Sequence, residues 1–315
     1  MTKNPRSGPA STEQLWAPNR KKSKQMELAV KILFGCFALV SVATTMGIVL
    51  VLIFETIEFF KEVPFWRFLT DTQWTPLFEN PQFGIFVLMS ATLLTSAIAV
   101  FVALPLGLLA AIYLSEYASP TLRKWLKPAL EILAGVPSVV YGYFALLFIT
   151  PMIQGILGDN LVRGFNALSA GLVLGISIIP LVASLSEDAI YAVPRSLREG
   201  AYGLGATKRE TIVGVVLPAA LSGIVASFII AVSRAIGETM IVTIAAGQNP
   251  TLGLNPFVPI MTMTAYIVQA SLGDTPAGSL AYKTVFSVGM TLFFTTLVLN
   301  IFSFWFVRKF REKYD

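Results

Sequence analysis

Two residues of opposite charge, Arg234 and Glu238, lie inside an otherwise apolar stretch at positions 221–247. A charged side chain at the bilayer centre costs about 2.5–3.5 kcal/mol on insertion scales, so charges kept there usually face a protein interior or a water path. Residues four apart in a continuous helix share one face. The spacing therefore predicts an Arg–Glu pair on one face of a membrane helix, with Thr239 beside it.

This pair suits the recognition of an oxyanion. The forked guanidinium group can donate two parallel hydrogen bonds to an oxyanion. A carboxylate can accept the proton that monohydrogen phosphate carries near neutral pH, whereas sulfate has no such proton and would be repelled. We therefore interpret Arg234, Glu238 and Thr239 as part of a substrate pathway. A purely structural ion pair is the alternative.

A second patterned segment is the polar stretch 193–223, which is too polar to cross a membrane. Pro194 can begin one short helix, and Thr207 with Glu210 can form the capping box of another. Gly205, between them, can adopt a positive φ and turn the chain. The pattern predicts two short surface helices joined at a glycine.

Such a stiff projection, with Arg198 and Glu199 as exposed charges, can bind in a groove of a soluble partner and pass its movement to the membrane helices. The chain itself has no GxxxxGK[ST] phosphate-binding loop, because the nearest run, GLGATK, has the wrong spacing and is followed by Arg209. We therefore predict that this chain binds no cofactor and that ATP is hydrolysed by a partner subunit only. An ordinary basic loop with some helix is the alternative.

The composition excludes most enzyme classes and most soluble folds. Hydrophobic residues make up 55% of the 315 and charged residues only 13%, against about 25% charged in an ordinary soluble domain. There is no His, and Cys36 is the single cysteine, so the commonest metal ligand and any internal disulfide are lacking. The sequence predicts a membrane protein without catalytic residues or a metal site.

Six apolar stretches are long enough to cross a bilayer, which takes about 20 helical residues. They occupy positions 32–54, 84–114, 130–153, 167–189, 221–247 and 284–307. A seventh stretch, 258–270, is too short and is bounded by proline and glycine. Pro105 predicts a bend in the second span, and Gly171 with Gly175 predicts close helix packing by the fourth. The fold class is therefore all-α, a polytopic bundle of six transmembrane helices.

The basic residues indicate the orientation of this bundle. With six spans, 18 of the 23 Lys and Arg fall on one side, in the tail 1–31, in the second and fourth loops, and in the tail 308–315. By the positive-inside rule that side is cytoplasmic, and both termini lie there. The basic balance thus indicates membrane topology and contact with anionic lipid, and no nucleic acid partner is expected.

The segment 198–218 resembles the EAA loop of ABC importer permeases. In that pattern Glu-Ala-Ala is followed after three residues by Gly and, after nine more, by Ile, any residue and Leu-Pro. The matching residues are Glu199, Gly200, Ala201, Gly205, Val215, Leu217 and Pro218. Gly200 and Val215 depart from the pattern, and each keeps the size or shape of the usual residue. The resemblance implies that this loop, 193–218 with Arg198 included, docks a separate ATPase.

Three further runs narrow the resemblance: SRAIGETM at 233–240, AGVPSVVYGYF at 134–144 and LSAGLVLGISIIPLVASLSED at 168–188. They are similar to the PstC-type permeases of phosphate importers. The resemblance implies a type I ABC importer permease bundle in the bacterial inner membrane. It also implies as partners a second, PstA-like permease, two PstB-like ATP-binding subunits and a periplasmic, PstS-like phosphate-binding protein.

Three other interpretations remain open. The chain could be the sister PstA-type subunit, which shares the EAA loop and a GET motif. It could be a permease for another oxyanion, such as sulfate or molybdate. An ion-coupled secondary transporter is a different class and should show an inverted repeat with broken helices in both halves; the sequence shows no matching halves.

Overall fold

The computed structural model describes residues 20–273 and 275–310, and that part of the chain is almost entirely helical. The chain divides into two units, Met1–Leu52 and Ile53–Asp315. Six helical segments are long and apolar enough to cross a membrane, which confirms the predicted number. They are Ser23–Glu62, Ile85–Tyr117, Ser138–Leu157, Ala167–Tyr191, Lys208–Gly237 and Leu280–Trp305.

The first unit contains most of helix α1 (Arg20–Glu62). Its side chains at 24–46 are exposed, and an apolar helix of this kind is stable where hydrocarbon surrounds it. The helix begins within the basic tail predicted at 1–31. Residues 1–19 of that tail lie outside the described part of the chain, as do residues 311–315 of the tail predicted at 308–315.

The second unit holds the end of α1 and twelve further helical segments among its described residues. They are α2 (Phe65–Thr70), α3 (Ile85–Ile112), α4 (Pro120–Ala134), α5 (Ser138–Phe144), α6 (Thr150–Leu157), α7 (Ala167–Tyr191), α8 (Arg195–Gly203), α9 (Lys208–Thr211), α10 (Leu217–Gly237), α11 (Met240–Ala245), α12 (Met263–Leu272) and α13 (Leu280–Phe310). Three π-helical turns extend α3, join α5 to α6 and join α9 to α10. Helix α3 continues through Pro105 without a break.

The third span begins later than the sequence predicts. Instead of one helix over 130–153, α4 ends at Ala134 and the span starts at Ser138. Proline disfavours helical backbone in the residue before it, and Pro137 itself has an extended ψ of 136°. The first residues of the predicted span therefore belong to a separate helix that precedes it.

Spans two and four form the most extensive helix contact of the core, in agreement with the close packing that the small residues of span four predict. A Cβ atom added at Gly171 would lie 2.8 Å from the side chain of Ile98, and one at Gly175 would lie 2.8 Å from the carbonyl oxygen of Ala99. Without side chains at these positions the two backbones can approach directly, which favours association in lipid. Span four is consequently the central, most buried span.

The segment 258–270 is not a span, in agreement with its length. It has no regular secondary structure at Ile260 and Met261, where both side chains are buried, and it becomes helical only at α12. An aromatic cluster formed by Trp74, Phe83 and Tyr266 covers this helix, with edge-to-face contacts between the rings. Burial raises the pKa of Tyr266 to about 12. The segment is thus packed inside the protein, which is where non-spanning backbone at membrane depth is stable.

Candidate functional site

Span five is interrupted at the residues that the sequence singles out. Helix α10 ends at Gly237, Glu238 has extended backbone (φ −67°, ψ 133°), and α11 begins at Met240. The prediction of one helix over 221–247 is therefore wrong. Arg234 and Glu238 do not share a helical face, and they form no ion pair in the described structure.

The carboxylate of Glu238 stabilises the break. Its Oε1 accepts hydrogen bonds from the backbone N–H groups of Met240 and Ile241, at 3.2 and 3.4 Å, so the side chain caps α11. Its backbone carbonyl accepts a hydrogen bond from the hydroxyl of Thr264 at 2.8 Å. Every buried polar backbone group needs a partner, and Thr264 supplies one where the helix does not. Oε2 of Glu238 makes no hydrogen bond within the described residues.

Thr239 lies in the break itself. Its hydroxyl donates to the carbonyl of Gly237 at 3.3 Å, and its own carbonyl accepts from the hydroxyl of Thr243 at 2.7 Å. On the other side, α11 packs against α5 so closely that a Cβ on Gly142 would lie 3.0 Å from Ile244. The break is therefore an ordered, half-buried feature between neighbouring spans.

Arg234 lies in the last turn of α10 and is exposed. It makes no hydrogen bond or ion pair with any residue that the structure describes. A cation near the last carbonyls of a helix is favoured by the helix dipole, but inside a membrane it still needs water, a partner chain or an anion. The guanidinium group is thus available to an anion at the interrupted span.

The loop 193–218 has the local structure that the sequence predicts. Helix α8 begins after Pro194, Gly205 has a φ of +86°, and Thr207 and Glu210 form both bonds of the capping box. One prediction is wrong, because the second helix is not short: α9 continues through the π-helical turn into α10. Leu217 and Pro218 begin α10. In the first turn of a helix proline costs no hydrogen bond. Because α9 runs into α10, the wider π-helical turn before Leu217 makes room for the proline ring.

The charges of this loop point in different directions. Glu199 and Gly200 are exposed and Ala201 is half-buried, which suits a docking face. Arg198 was expected on the same face, but its side chain is only 16% exposed and pairs with Glu116. Leu204, which was not among the predicted residues of this loop, is 91% exposed. The sequence signal for this residue is a leucine within an otherwise polar turn.

A buried charge cluster, also missed, joins α4 to the end of span four. Glu187 is fully buried and pairs with Arg123 and with Lys127, whose Nζ lies 2.8 Å from its Oε2. Lys127 also pairs with the exposed Asp188. Burial of the ammonium group acts to lower the pKa of Lys127, but the hydrogen bonds to Asp188 and Glu187 outweigh it and the pKa is raised. The sequence signal for this cluster is the pair of acidic residues, Glu187 and Asp188, that ends the apolar run of span four.

The side of the bundle away from this loop carries a cavity of about 720 Å³. Its walls are the segment 72–78, the loop 248–252 and the side chains of Met261, Tyr266 and Gln269. None of these residues is charged. The cavity is therefore suited to neutral polar and aromatic contacts rather than to an anion.

Comparison with known proteins agrees with this architecture. The family described as "Binding-protein-dependent transport system inner membrane component" matches residues 103–314. A probable ABC transporter permease protein of Bacillus subtilis is 31% identical over 92% of this chain and 91% of its own length. The phosphate transport system permease protein PstC of Haemophilus influenzae is 35% identical over 78% of this chain and 82% of its own length.

Among solved structures, a bacterial ABC transporter involved in the import of the acidic polysaccharide alginate matches 95% of this chain and 100% of its own. The TM-score is 0.64 at 17% sequence identity, which shows a shared fold, that of type I ABC importer permeases. The resemblance to PstC-type permeases is confirmed by the relatives. The chain belongs to the family of inner-membrane components of binding-protein-dependent transport systems.

Proposed function

We propose that this chain is a permease subunit of an ABC importer for inorganic phosphate, and not an enzyme. The observation that carries the proposal is the unpaired Arg234 at the interrupted end of α10. A guanidinium group binds the oxygens of phosphate through charge-assisted hydrogen bonds. The relatives named as phosphate permeases support the same substrate.

The geometry of the break refines the role of each residue in this proposal. Arg234 supplies the positive charge that attracts the anion. Oε1 of Glu238 caps α11 and so stabilises the break, and Oε2 remains to accept the proton of monohydrogen phosphate. Thr239 forms the turn between them. The two charges thus act from separate backbone segments rather than as a helical pair.

We further propose that the chain works with partners that supply energy and substrate. These are a PstA-like permease, two PstB-like ATP-binding subunits, one of which docks on the loop 193–218, and a periplasmic PstS-like binding protein. Both termini would lie in the cytoplasm, with the loop 193–218 on the same side, because most basic residues lie there. Copurification of this chain with an ATP-binding subunit tests the class, since a secondary transporter needs no ATPase.

Substrate and pathway are tested by uptake into proteoliposomes that contain this chain and its partner subunits. Phosphate uptake should resist competition by sulfate and molybdate, and inhibition by either anion at equal concentration would favour the alternative oxyanions. A charge-assisted hydrogen bond is worth about 1.5–3 kcal/mol, so Arg234→Gln should lower uptake by roughly tenfold or more.

Two variants sharpen this test. Arg163→Gln removes another exposed cation, outside the spans, and should leave uptake unchanged, which controls for surface charge. Glu238→Gln keeps an oxygen that can cap α11 but loses the negative charge, and should lower uptake at unchanged expression. Uptake by Arg234→Gln equal to that of the unmodified chain would exclude the proposed pathway.

A further inference from the structure

Arg198 of α8 hydrogen-bonds the docking loop to the ends of two spans. Its Nε and Nη2 both donate to Oε1 of Glu116, at 3.1 and 2.8 Å. Nη2 also donates to the carbonyl of Ile190 at 2.8 Å, and Nη1 donates to the carbonyl of Val193. The guanidinium group is therefore occupied by three acceptor residues and is largely shielded from solvent.

The acceptors lie in three separate segments. Glu116 belongs to the π-helical turn that ends span two, Ile190 lies in the last turn of span four, and Val193 lies between span four and α8. The pair is buried, with 16% of the Arg198 side chain and 8% of the Glu116 side chain exposed. The ends of spans two and four are thus both hydrogen-bonded to the docking helix by one guanidinium group.

A second contact holds the other half of the loop to the same place. The Nζ of Lys208, the first residue of α9, lies 4.4 Å from the ring centroid of Tyr117, next to Glu116. Helix α9 is in turn continuous with span five. The end of span two is consequently held from both sides of the Gly205 turn.

We infer that Arg198 is a positioning residue that makes the docking helix move as one body with spans two and four. This inference rests on the proposed function as an ABC permease. Movement of the ATPase against the exposed residues of α8 would then reach spans two and four through Arg198, and span five through the backbone. Arg198 itself would not contact the ATPase.

The fork of arginine is what this role requires. One guanidinium group donates at once to a carboxylate and to two carbonyls that lie in different directions, and the single ammonium of lysine cannot reproduce that planar arrangement. The conservative variant Arg198→Lys should therefore rescue only part of the coupling. A residue that merely contributed positive charge would be replaced fully.

The first measurement is made on the assembled transporter with its ATP-binding subunits. In Arg198→Gln, the ATP-binding subunit should copurify in the amount seen for the unmodified chain, while stimulation of ATPase activity by the loaded binding protein falls about tenfold, a typical coupling between distant sites. Glu116→Gln should give the same loss, and the double variant no further loss. The adjacent Glu199→Gln is the matched control, because it should weaken copurification instead.

The second measurement needs no substrate. Spin labels at Ser196→Cys on α8 and Leu161→Cys in the loop before span four, with Cys36→Ser, report the distance between the docking helix and the far end of that span. The distance distribution should broaden in Arg198→Gln and narrow again in part in Arg198→Lys. Copurification and label distances therefore separate a failure of this inference from a failure to transport phosphate.

Three results would overturn the inference. Loss of the ATP-binding subunit from Arg198→Gln would mean that Arg198 contacts the ATPase directly. Unchanged stimulation, or an unchanged distance distribution, would mean that the docking helix is held in place without it.

Discussion

The strongest test of the packing concerns two neighbouring carboxylates that pair with the same lysine. Lys127 binds both Glu187, which is fully buried, and Asp188, whose side chain is 58% exposed. The variants Glu187→Gln and Asp188→Asn each remove one negative charge and change few atoms. A difference between them therefore reports the burial of Glu187 together with its second partner, Arg123.

The structure gives the expected magnitudes. Removing one partner of a buried ion pair costs about 3–5 kcal/mol. Arg123 and Lys127 are 24% and 25% exposed, and each keeps another contact: the Tyr191 ring at 3.8 Å for Arg123 and Asp188 for Lys127. We therefore expect about 2–3 kcal/mol for Glu187→Gln, below the buried-pair range, and at most about 1 kcal/mol for the exposed Asp188→Asn.

Hydrogen exchange measures this loss where it should occur, at the amides of α4. Local opening exposes amides to exchange, so Glu187→Gln should speed exchange in α4 by roughly 30- to 150-fold and Asp188→Asn by at most about fivefold. Equal effects of the two variants would refute the reasoning, as would unchanged exchange in Glu187→Gln.

The pH dependence supplies a further check on the same cluster. The pKa of Lys127 is raised above its ordinary value of 10.5. A lysine whose pKa is higher in the folded than in the unfolded state stabilises the folded state at any pH below its unfolded pKa. That stabilisation is lost only as the pH rises through the folded pKa. Protection of α4, corrected for the intrinsic exchange rate, should accordingly stay constant between about pH 6 and 9. A decline within that range would contradict the assignment.

Two further predictions concern glycines, each with a matched control. Gly175→Ala should destabilise the chain by about 1–3 kcal/mol, because the new Cβ would meet the backbone carbonyl of Ala99. Gly155→Ala, with nothing within 4 Å of the new Cβ, should be neutral or stabilising. The unfolding midpoints of the two variants measure the difference. Gly205→Ala should cost about 1–2 kcal/mol because of its positive φ and should weaken copurification of the ATP-binding subunit. Gly203→Ala, in helical backbone with open space around it, should not.

The sequence alone was sufficient for the number of spans and for the local structure of the loop 193–218. A membrane helix satisfies its own backbone groups over about 20 apolar residues, so hydropathy counts spans without any tertiary information. The Thr207–Glu210 capping box and the positive φ of Gly205 depend on residues at most a few positions apart. The glycines of span four likewise indicated close packing, although not which span would fill the space.

The tertiary structure decided the features on which the site depends. Helix α10 ends at Gly237, and the carbonyl of Glu238 finds its donor in Thr264, 26 positions away. No helical periodicity contains that information. Arg198 was predicted to be an exposed charge beside Glu199, yet its partner Glu116 lies 82 positions earlier in the chain. A local pattern indicates which groups need a partner, whereas only the packing of distant segments determines which partner they find.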